Sequence, residues 1–365
     1  MSEITTYVGV DAHKKDLYIA MLVADHGTPV TWTVPNEPPA IRRFVRKLER
    51  DAPGAVRVCY EAGPCGYALQ RQMTTTRVSC QVIAPSLIPR KPGERIKTNR
   101  RDARKLAELL RAGVLTEVHP PTPEAEAVRD LCRARDDARE DRQRCRHRLG
   151  KLFLRRGLHY RGRNWTRAHR RWIDSLVWTQ PAERVVVADY LLAIEHVTAR
   201  LREFDVRLGE IAATAPYREP VGWLRCFRGI DTVTAMLLLA ELHDVRRFHS
   251  PRALMASVGL VPGEDSTGDT HRRGRITRTG NALVRRLLVE AAWHYQHRPG
   301  VGVALARRRH GQPGRVIAIA DKAQQRLCRR FRRLAERHKP AAKIAVAIAR
   351  ELIGFLWAAL QPAAS

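Results

Sequence analysis

The chain of 365 residues is longer than one ordinary domain, and its 44% hydrophobic and 28% charged residues can bury real cores, which excludes a compositionally disordered chain. Its 66 lysines and arginines against 37 acidic residues give a formal net charge of +29, a self-repelling surface that calls for a polyanion, and nucleic acid is the polyanion that fits. Cys59, Cys65, Cys80, Cys132, Cys145, Cys226 and Cys328 form no CxxC pair or zinc-finger spacing, so they are expected to be reduced, mostly buried thiols of a cytoplasmic protein.

From Thr5 to Val23, TTYVGVDAHKKDLYIAMLV reads as two apolar, β-rich stretches joined by the polar turn DAHKKD, a hairpin with Asp11 at its tip. No basic-then-apolar signal region precedes it, and no apolar run of about 18 residues follows anywhere. A second strand, AVRVCYEAG, ends on Glu61. A third, VSCQVIAP, follows a short helical stretch containing GYALQRQM, and this alternation of strands and helices predicts an α/β sandwich. In RIKTNRRDARKLAELLRAG, Ala103, Leu106, Ala107 and Leu110 fall at helical spacing, so an amphipathic helix is expected to stop at Gly113.

The break HPPTPE then leads into a long Arg-rich helix from about Glu124 to Arg155. Between Ala182 and Ala212, Val187, Tyr190, Ile194, Val197, Leu201, Phe204, Leu208 and Ile211 alternate spacings of three and four, the seam of a coiled coil. That seam can close on the preceding helix as an antiparallel hairpin or on another subunit. Between the two, Arg163, Trp165, His169 and Arg171 form a basic and aromatic cluster, suited to stack on nucleic acid or to make a solvated helix face around one buried tryptophan. The C-terminal region, from WLRCFRGIDTVTAMLLLAEL onward, reads as mostly helical and ends in helices at about Val316 to Arg337 and Ala341 to Ala359.

Two constellations carry chemistry. Cleaving a phosphodiester calls for divalent ions held by carboxylates that converge from several elements. Asp11 and Glu61 at strand ends and Asp102 on the first turn of a helix meet that demand, each beside a small residue that permits close approach. Taken singly, Asp11 can be a turn residue, Glu61 a solvated strand end, and Asn99 with Asp102 an N-cap and its third helical position. The second constellation is SVGLVPGEDSTGDTHRRGRITRTGNALVRRLLVEAAWHY, a loop rich in Gly, Ser and Thr followed by basic residues and a helix carrying Leu283, Leu287, Leu288 and Ala291. A loop hydroxyl beside Arg272, Arg273 and Arg275 can attack a phosphodiester while the guanidiniums stabilise developing charge, or the same residues form a turn and a phosphate-binding patch.

VGVDAHKKDL, YEAGPCGY and IKTNRRDARKLAELLRAG, in this order, resemble the RuvC-like (RNase H fold) domain of transposases of the insertion sequence 110 family. GLVP, STG, RRGRITRTGN and LVRRLLVEAA are similar to the C-terminal domain of the same transposases. The resemblance implies that Asp11, Glu61 and Asp102 are three ligands of an Asp-Glu-Asp-Asp site for Mg²⁺, with Asn99 where the family places the remaining Asp. It also implies a serine nucleophile that joins covalently to DNA. Counting back from Gly280 favours Ser266, counting forward from Gly259 favours Thr267, and Ser266 is taken as the serine of the pair. Arg272, Arg273, Arg275, Arg278 and Asn281 are the expected nucleic-acid contacts. LRCFRGIDTVTAMLLLAEL resembles the family's helix-hairpin-helix element, with Arg228 and Asp231 in place of the usual Pro and second Gly.

The expected architecture is a RuvC-like domain over residues 1–120, a helical and coiled-coil connector over 121–215, and a mainly α serine-bearing domain over 216–365. The expected activity is DNA strand cleavage and transfer for excision and insertion of a mobile element, with an element-encoded structured guide RNA and a homo-oligomer joining the DNA partners. Two other classes stay open: a catalytically silent nucleic-acid-binding remnant, and a metal-dependent junction nuclease that uses water and no serine.

Overall fold

The computed structural model describes residues 4–23, 27–76, 78–89, 98–267 and 270–362, with 265–267 and 270–273 described by backbone alone. The chain divides into two compact units, Met1–Pro121 and Thr122–Ser365.

The first unit is built on β1 (Thr5–Ala12), β2 (Asp16–Val23), β3 (Val30–Pro35), β4 (Ala55–Glu61), β5 (Ser79–Ile83) and β6 (Glu117–Val118), with helices α1 (Pro38–Asp51), α2 (Ala68–Thr74) and α3 (Asn99–Arg111). The strands form one mixed sheet in the order β3-β2-β1-β4-β5-β6. β2 runs antiparallel to β1, while β4 runs parallel to β1 and β5 parallel to β4. The period of two along each strand sorts its residues between two faces. Val8, Val10, Val58 and Tyr60 go to the face covered by Ile41, Phe44, Val45 and Leu48 of α1. On the other face Ala20 and Leu22 meet Ala103 and Ala107 of α3, and Cys59 and Ile83 meet Leu106 and Leu110.

α3 takes its expected register because Ala103, Leu106, Ala107 and Leu110 make one buried stripe, and each of the two leucines contributes about 1.5–3 kcal/mol by leaving water. The helix ends where Gly113 adopts φ +67°, a conformation that glycine takes without a Cβ penalty. Gly113 and Val114 donate to the carbonyls of Leu110 and Leu109, which satisfies the last turn. Its start differs from the sequence expectation. Thr98 is the N-cap, accepting from Arg101 N at 3.4 Å, so Asn99 is the first helical residue rather than the cap.

The second unit comprises α4 (Pro123–Arg155), α5 (Arg167–Asp174), α6 (Pro181–Ala212), α7 (Arg218–Arg225), α8 (Thr232–Leu242), α9 (Pro251–Ser257), the hairpin β7 (Pro262–Thr267) and β8 (Thr270–Ile276), α10 (Ala282–Ala292), α11 (Val303–Arg309), α12 (Gly314–Glu336) and α13 (Ala341–Leu360). The break HPPTPE acts as a helix start: the Thr122 hydroxyl accepts from Ala125 N at 3.2 Å, Pro123 occupies the first turn, and Glu124 and Glu126 sit at the positive end of the helix dipole. α6 lies antiparallel along α4, since Arg135 pairs with Asp205 and, further on, Arg156 pairs with Glu183. Of the expected seam, Val187, Ile194, Leu201 and Leu208 are buried and Tyr190, Val197, Phe204 and Ile211 half-buried.

The near ends of α4 and α6 share a core with the C-terminal helices, Cys132 and Leu208 packing with Leu237, Leu288 and Leu352 among others. Six of the seven cysteines are buried, Cys65 is half-buried, and none is in a disulfide. Among the described residues, no helix is long and apolar enough to cross a membrane.

Candidate functional site

In the first unit the expected carboxylates come to one end and one face of the sheet. β1 and β4 are parallel neighbours with Val10 beside Tyr60, so Asp11 and Glu61 are the next residues on adjacent strands. Each is also two residues beyond a position that touches α3. Gly9 lies against α3 so closely that a Cβ on it would overlap the Ala103 carbonyl oxygen, and the Cys59 thiol donates to the Leu106 carbonyl at 3.7 Å. The alternation therefore carries Asp11 and Glu61 to the α3 face. Asp102, one residue before Ala103, lies in the first turn of α3. Asn99 is three residues earlier, hence on the same side of the helix, and both are half-buried.

Asp11 is not at the tip of the hairpin as the sequence suggests; it is inside β1, paired with Tyr18, and residues 13–15 make the turn. Its carboxylate accepts from His13 Nε2 at 3.0 Å, with the aspartate side chain 21% and the histidine 50% exposed. The Cys65 thiol also lies nearby, donating to the Ala12 carbonyl at 3.5 Å. Burial first, and then the negative charge of Asp11, push that thiol above its ordinary pKa. His13 and Cys65 were not singled out in the sequence; the two-residue spacing in Asp-Ala-His was the available signal for the first. Among the described residues, no three His, Cys, Asp or Glu side chains stand close enough together to hold a metal ion as they are placed. Glu61 and Asp102 each have interaction partners of their own.

In the second unit the stretch expected as a loop is an antiparallel hairpin, with Ser266 opposite His271 and Thr267 opposite Thr270. The side chains of Ser266, Thr267, Arg272 and Arg273 lie outside the described residues. The base of the hairpin is tightly fixed. Thr277 N donates to the Val261 carbonyl at 2.9 Å and Arg278 N to the Gly259 carbonyl at 3.2 Å. Gly259 and Gly280 both adopt positive φ, and a Cβ on either would overlap backbone across the junction, at Thr279 and Ser257 respectively. Arg285 locks the same junction by donating to the Val258 and Gly280 carbonyls, each at 3.1 Å. GLVP and RTGN are thus the two sides of one backbone knot.

Arg275 and Arg278 are exposed and line a groove of about 1280 Å³ whose other walls come from α9, α12 and α13. Arg252, Lys343 and Arg350 add positive charge to its walls, Arg326 and Arg330 share the Glu351 carboxylate at 2.7 and 2.9 Å, and Leu260, Val346 and Phe355 supply apolar surface. Asn281 is placed differently from the expected nucleic-acid contact. Its Oδ1 caps α10 by accepting from Val284 N at 3.0 Å, and its Nδ2 donates to Glu241, a carboxylate that also holds Arg133 through two bonds of 2.7 and 3.0 Å. Asp231, in the turn between α7 and α8, caps α8 by accepting from Thr234 N at 2.7 Å. A carboxylate thus stands at the helix end where a phosphate would bind.

Comparison with known sequences decides the family. A profile described as Transposase IS116/IS110/IS902 family matches residues 223–303, and a DEDD transposase profile of the IS110 group matches residues 8–155. A putative transposase of Sinorhizobium fredii is 41% identical over 360 residues, spanning 98% of this chain and 89% of the relative. The chain belongs to the IS110 family of transposases. The transposase of insertion sequence element IS1533 from Leptospira borgpetersenii is 36% identical over 349 residues, covering 92% of this chain and 99% of that one. As an IS110 family transposase the protein is a DNA-binding enzyme of DNA cleavage and recombination, and its DEDD domain implies an RNase H-like α/β fold, in keeping with the mixed sheet between α1 and α3.

Proposed function

We propose that this transposase cleaves and rejoins DNA strands with Mg²⁺ held by Asp11, Glu61 and Asp102, and with Ser266 as the covalent nucleophile. What supports the metal half is that Asp11 and Glu61 follow paired positions on adjacent parallel strands, on the sheet face that α3 packs against through Gly9 and Ala103, next to Asp102. The donor set suits the ion: carboxylate oxygens, with the Asn99 carbonyl as a neutral fourth, are the hard ligands that Mg²⁺ takes. When bound, the ion polarises the phosphodiester and stabilises the leaving oxygen. Gly9 lets α3 approach the sheet, and His13 holds one Asp11 oxygen so that the other stays directed. Asn99 supplies an oxygen without charge, so it favours a weaker second ion.

For the serine half, the knot at Gly259 and Gly280 fixes the base of the hairpin that carries Ser266, and Arg275 and Arg278 offer charge beside it. In the reaction the Ser266 Oγ–phosphorus bond forms while one P–O bond of the strand breaks. The hydroxyl proton passes to a base and the departing sugar oxygen takes up a proton. The segments 1–120, 121–215 and 216–365 serve as metal-binding domain, connector and serine-bearing domain. The charge of +29 suits a DNA substrate together with a structured guide RNA, and a homo-oligomer brings the DNA partners together.

The test is Mg²⁺-dependent cleavage of element-end DNA supplied with the flanking RNA. Asp11→Asn and Glu61→Gln should each lower cleavage by at least about 100-fold with DNA binding retained. Undiminished cleavage in both variants would refute the metal assignment. A silent nucleic-acid-binding remnant is the second reading, favoured by Asn99 in the ligand set, and it predicts no cleavage by the unaltered chain.

A further inference from the structure

The far end of the α4 and α6 pair holds a cavity that neither constellation uses. Residues 142–172 contain eleven arginines, one lysine and no aspartate or glutamate, so this end is the most one-sidedly basic stretch of that length in the connector. The cavity measures about 470 Å³, within the range of small-ligand sites, and is lined by Arg146, His147, Lys151, Tyr160, Asn164 and Trp165 among others.

Its floor is an aromatic cluster centred on His169. That ring is buried, stacks with Trp172 at 5.5 Å between centroids, and meets Tyr160 at 4.9 Å and Trp165 at 5.3 Å. Trp165 itself has φ +64°, a strained conformation for a bulky residue, and it is pinned there because its backbone N–H donates to His169 Nδ1 at 3.1 Å. The strain holds a half-buried indole at the cavity wall. The Arg146 guanidinium lies 4.7 Å from the Trp165 ring centroid, and its Nε is buried with no hydrogen-bond partner among the described residues. Lys151 and His147 are exposed at the rim.

We infer that this cavity takes one unpaired nucleobase, stacked on Trp165 and Tyr160, with its flanking phosphate on Arg146 and Lys151. A flat, π-faced ligand carrying negative charge is what joined aromatic and cationic walls select, and Asn164 offers a donor and an acceptor to a base edge. A duplex cannot present that face without opening. The inference deepens the proposed function by assigning the connector a single-strand contact, and it depends on that reading only for the presence of nucleic acid.

The probe is a single-stranded oligonucleotide carrying 2-aminopurine, prepared in DNA and in RNA form, with the paired duplex alongside. Binding to the full chain should quench the 2-aminopurine, and the form that is quenched identifies the strand the cavity takes. Trp165→Gly removes the ring, and glycine is at ease at that φ, so its melting temperature serves as the folding control. It should weaken single-strand binding about ten-fold and leave duplex binding unchanged. Lys151→Gln, at an exposed position, should reduce the salt dependence by about one ion. Single-strand binding unaltered in both variants, or equal loss of single-strand and duplex binding in a folded Trp165→Gly, would each overturn the assignment. Asp11→Asn should keep the quenching, so failure of the metal site and failure of this pocket read out separately.

Discussion

The carbonyl oxygen of Ala103 occupies the space that a Cβ on Gly9 would need. That contact sets the distance between α3 and the sheet, and through it the position of Asp102 relative to Asp11. Gly9→Ala must therefore push α3 away from β1. Because the obstacle is backbone, the expected cost is at least about 1–3 kcal/mol, read as a lower melting temperature, with cleavage falling further than stability alone explains. A variant as stable and as active as the unaltered chain would mean that α3 and β1 are not held this closely.

Asn99→Asp restores a negative charge at the first turn of α3. The N-terminal end of a helix favours such a charge by about 0.3–1 kcal/mol, so stability should hold or rise. The Mg²⁺ concentration needed for half-maximal cleavage should fall. An unchanged Mg²⁺ dependence would remove Asn99 from the ligand set.

Asn281 is expected to act through the fold. Asn281→Ala removes the cap of α10 and one partner of the buried Glu241, at a cost of about 0.5–2 kcal/mol for the cap alone. Thermal unfolding should shift down, while the salt dependence of DNA binding stays as it was. The reverse pattern, unchanged melting with weaker DNA binding, would make it the direct contact that its sequence neighbourhood suggests.

Burial holds the pKa of His169 below the ordinary histidine value, and burial together with Arg228 does the same for His294. In the unfolded chain both imidazoles protonate at higher pH than in the folded one. Stability is thus full above the unfolded value and falls as pH drops through it, the unfolded state then binding more protons. Protonating His169 Nδ1 also breaks the bond from Trp165 N. Melting temperature should decline between about pH 7 and pH 5, and the decline should be shallower in His169→Phe; an equal slope in that variant would refute the assignment.

Much of this was legible because burial repeats with the period of the element. The α3 stripe, the α6 seam and the strand end at Glu61 all follow directly from apolar spacing, whereas Asp11 lies inside β1 rather than at the hairpin tip. The edge strand β3 and helix α1 are harder to read: TWTVP is short and only half-buried, and the prolines before Ile41 mask a helix whose Ile41, Phe44, Val45 and Leu48 do keep helical spacing. The hairpin of β7 and β8 reads as a loop because its residues are polar and charged; it owes its shape to the backbone knot at Gly259 and Gly280, which only the folded chain reveals. Asn281 reads as a nucleic-acid position because a capping side chain and a phosphate ligand use the same residue types at the same helix end.

The central claim, one reaction served by a carboxylate site and a serine, is tested most directly by trapping protein covalently joined to DNA on a denaturing gel. Element-end DNA, the flanking RNA and Mg²⁺ are supplied to the unaltered chain and to Ser266→Ala, Thr267→Ala and Asp102→Ala. The adduct should form with the unaltered chain and with Thr267→Ala, and vanish with Ser266→Ala and with Asp102→Ala. Cleavage without any adduct, or an adduct that persists in Ser266→Ala, would contradict it.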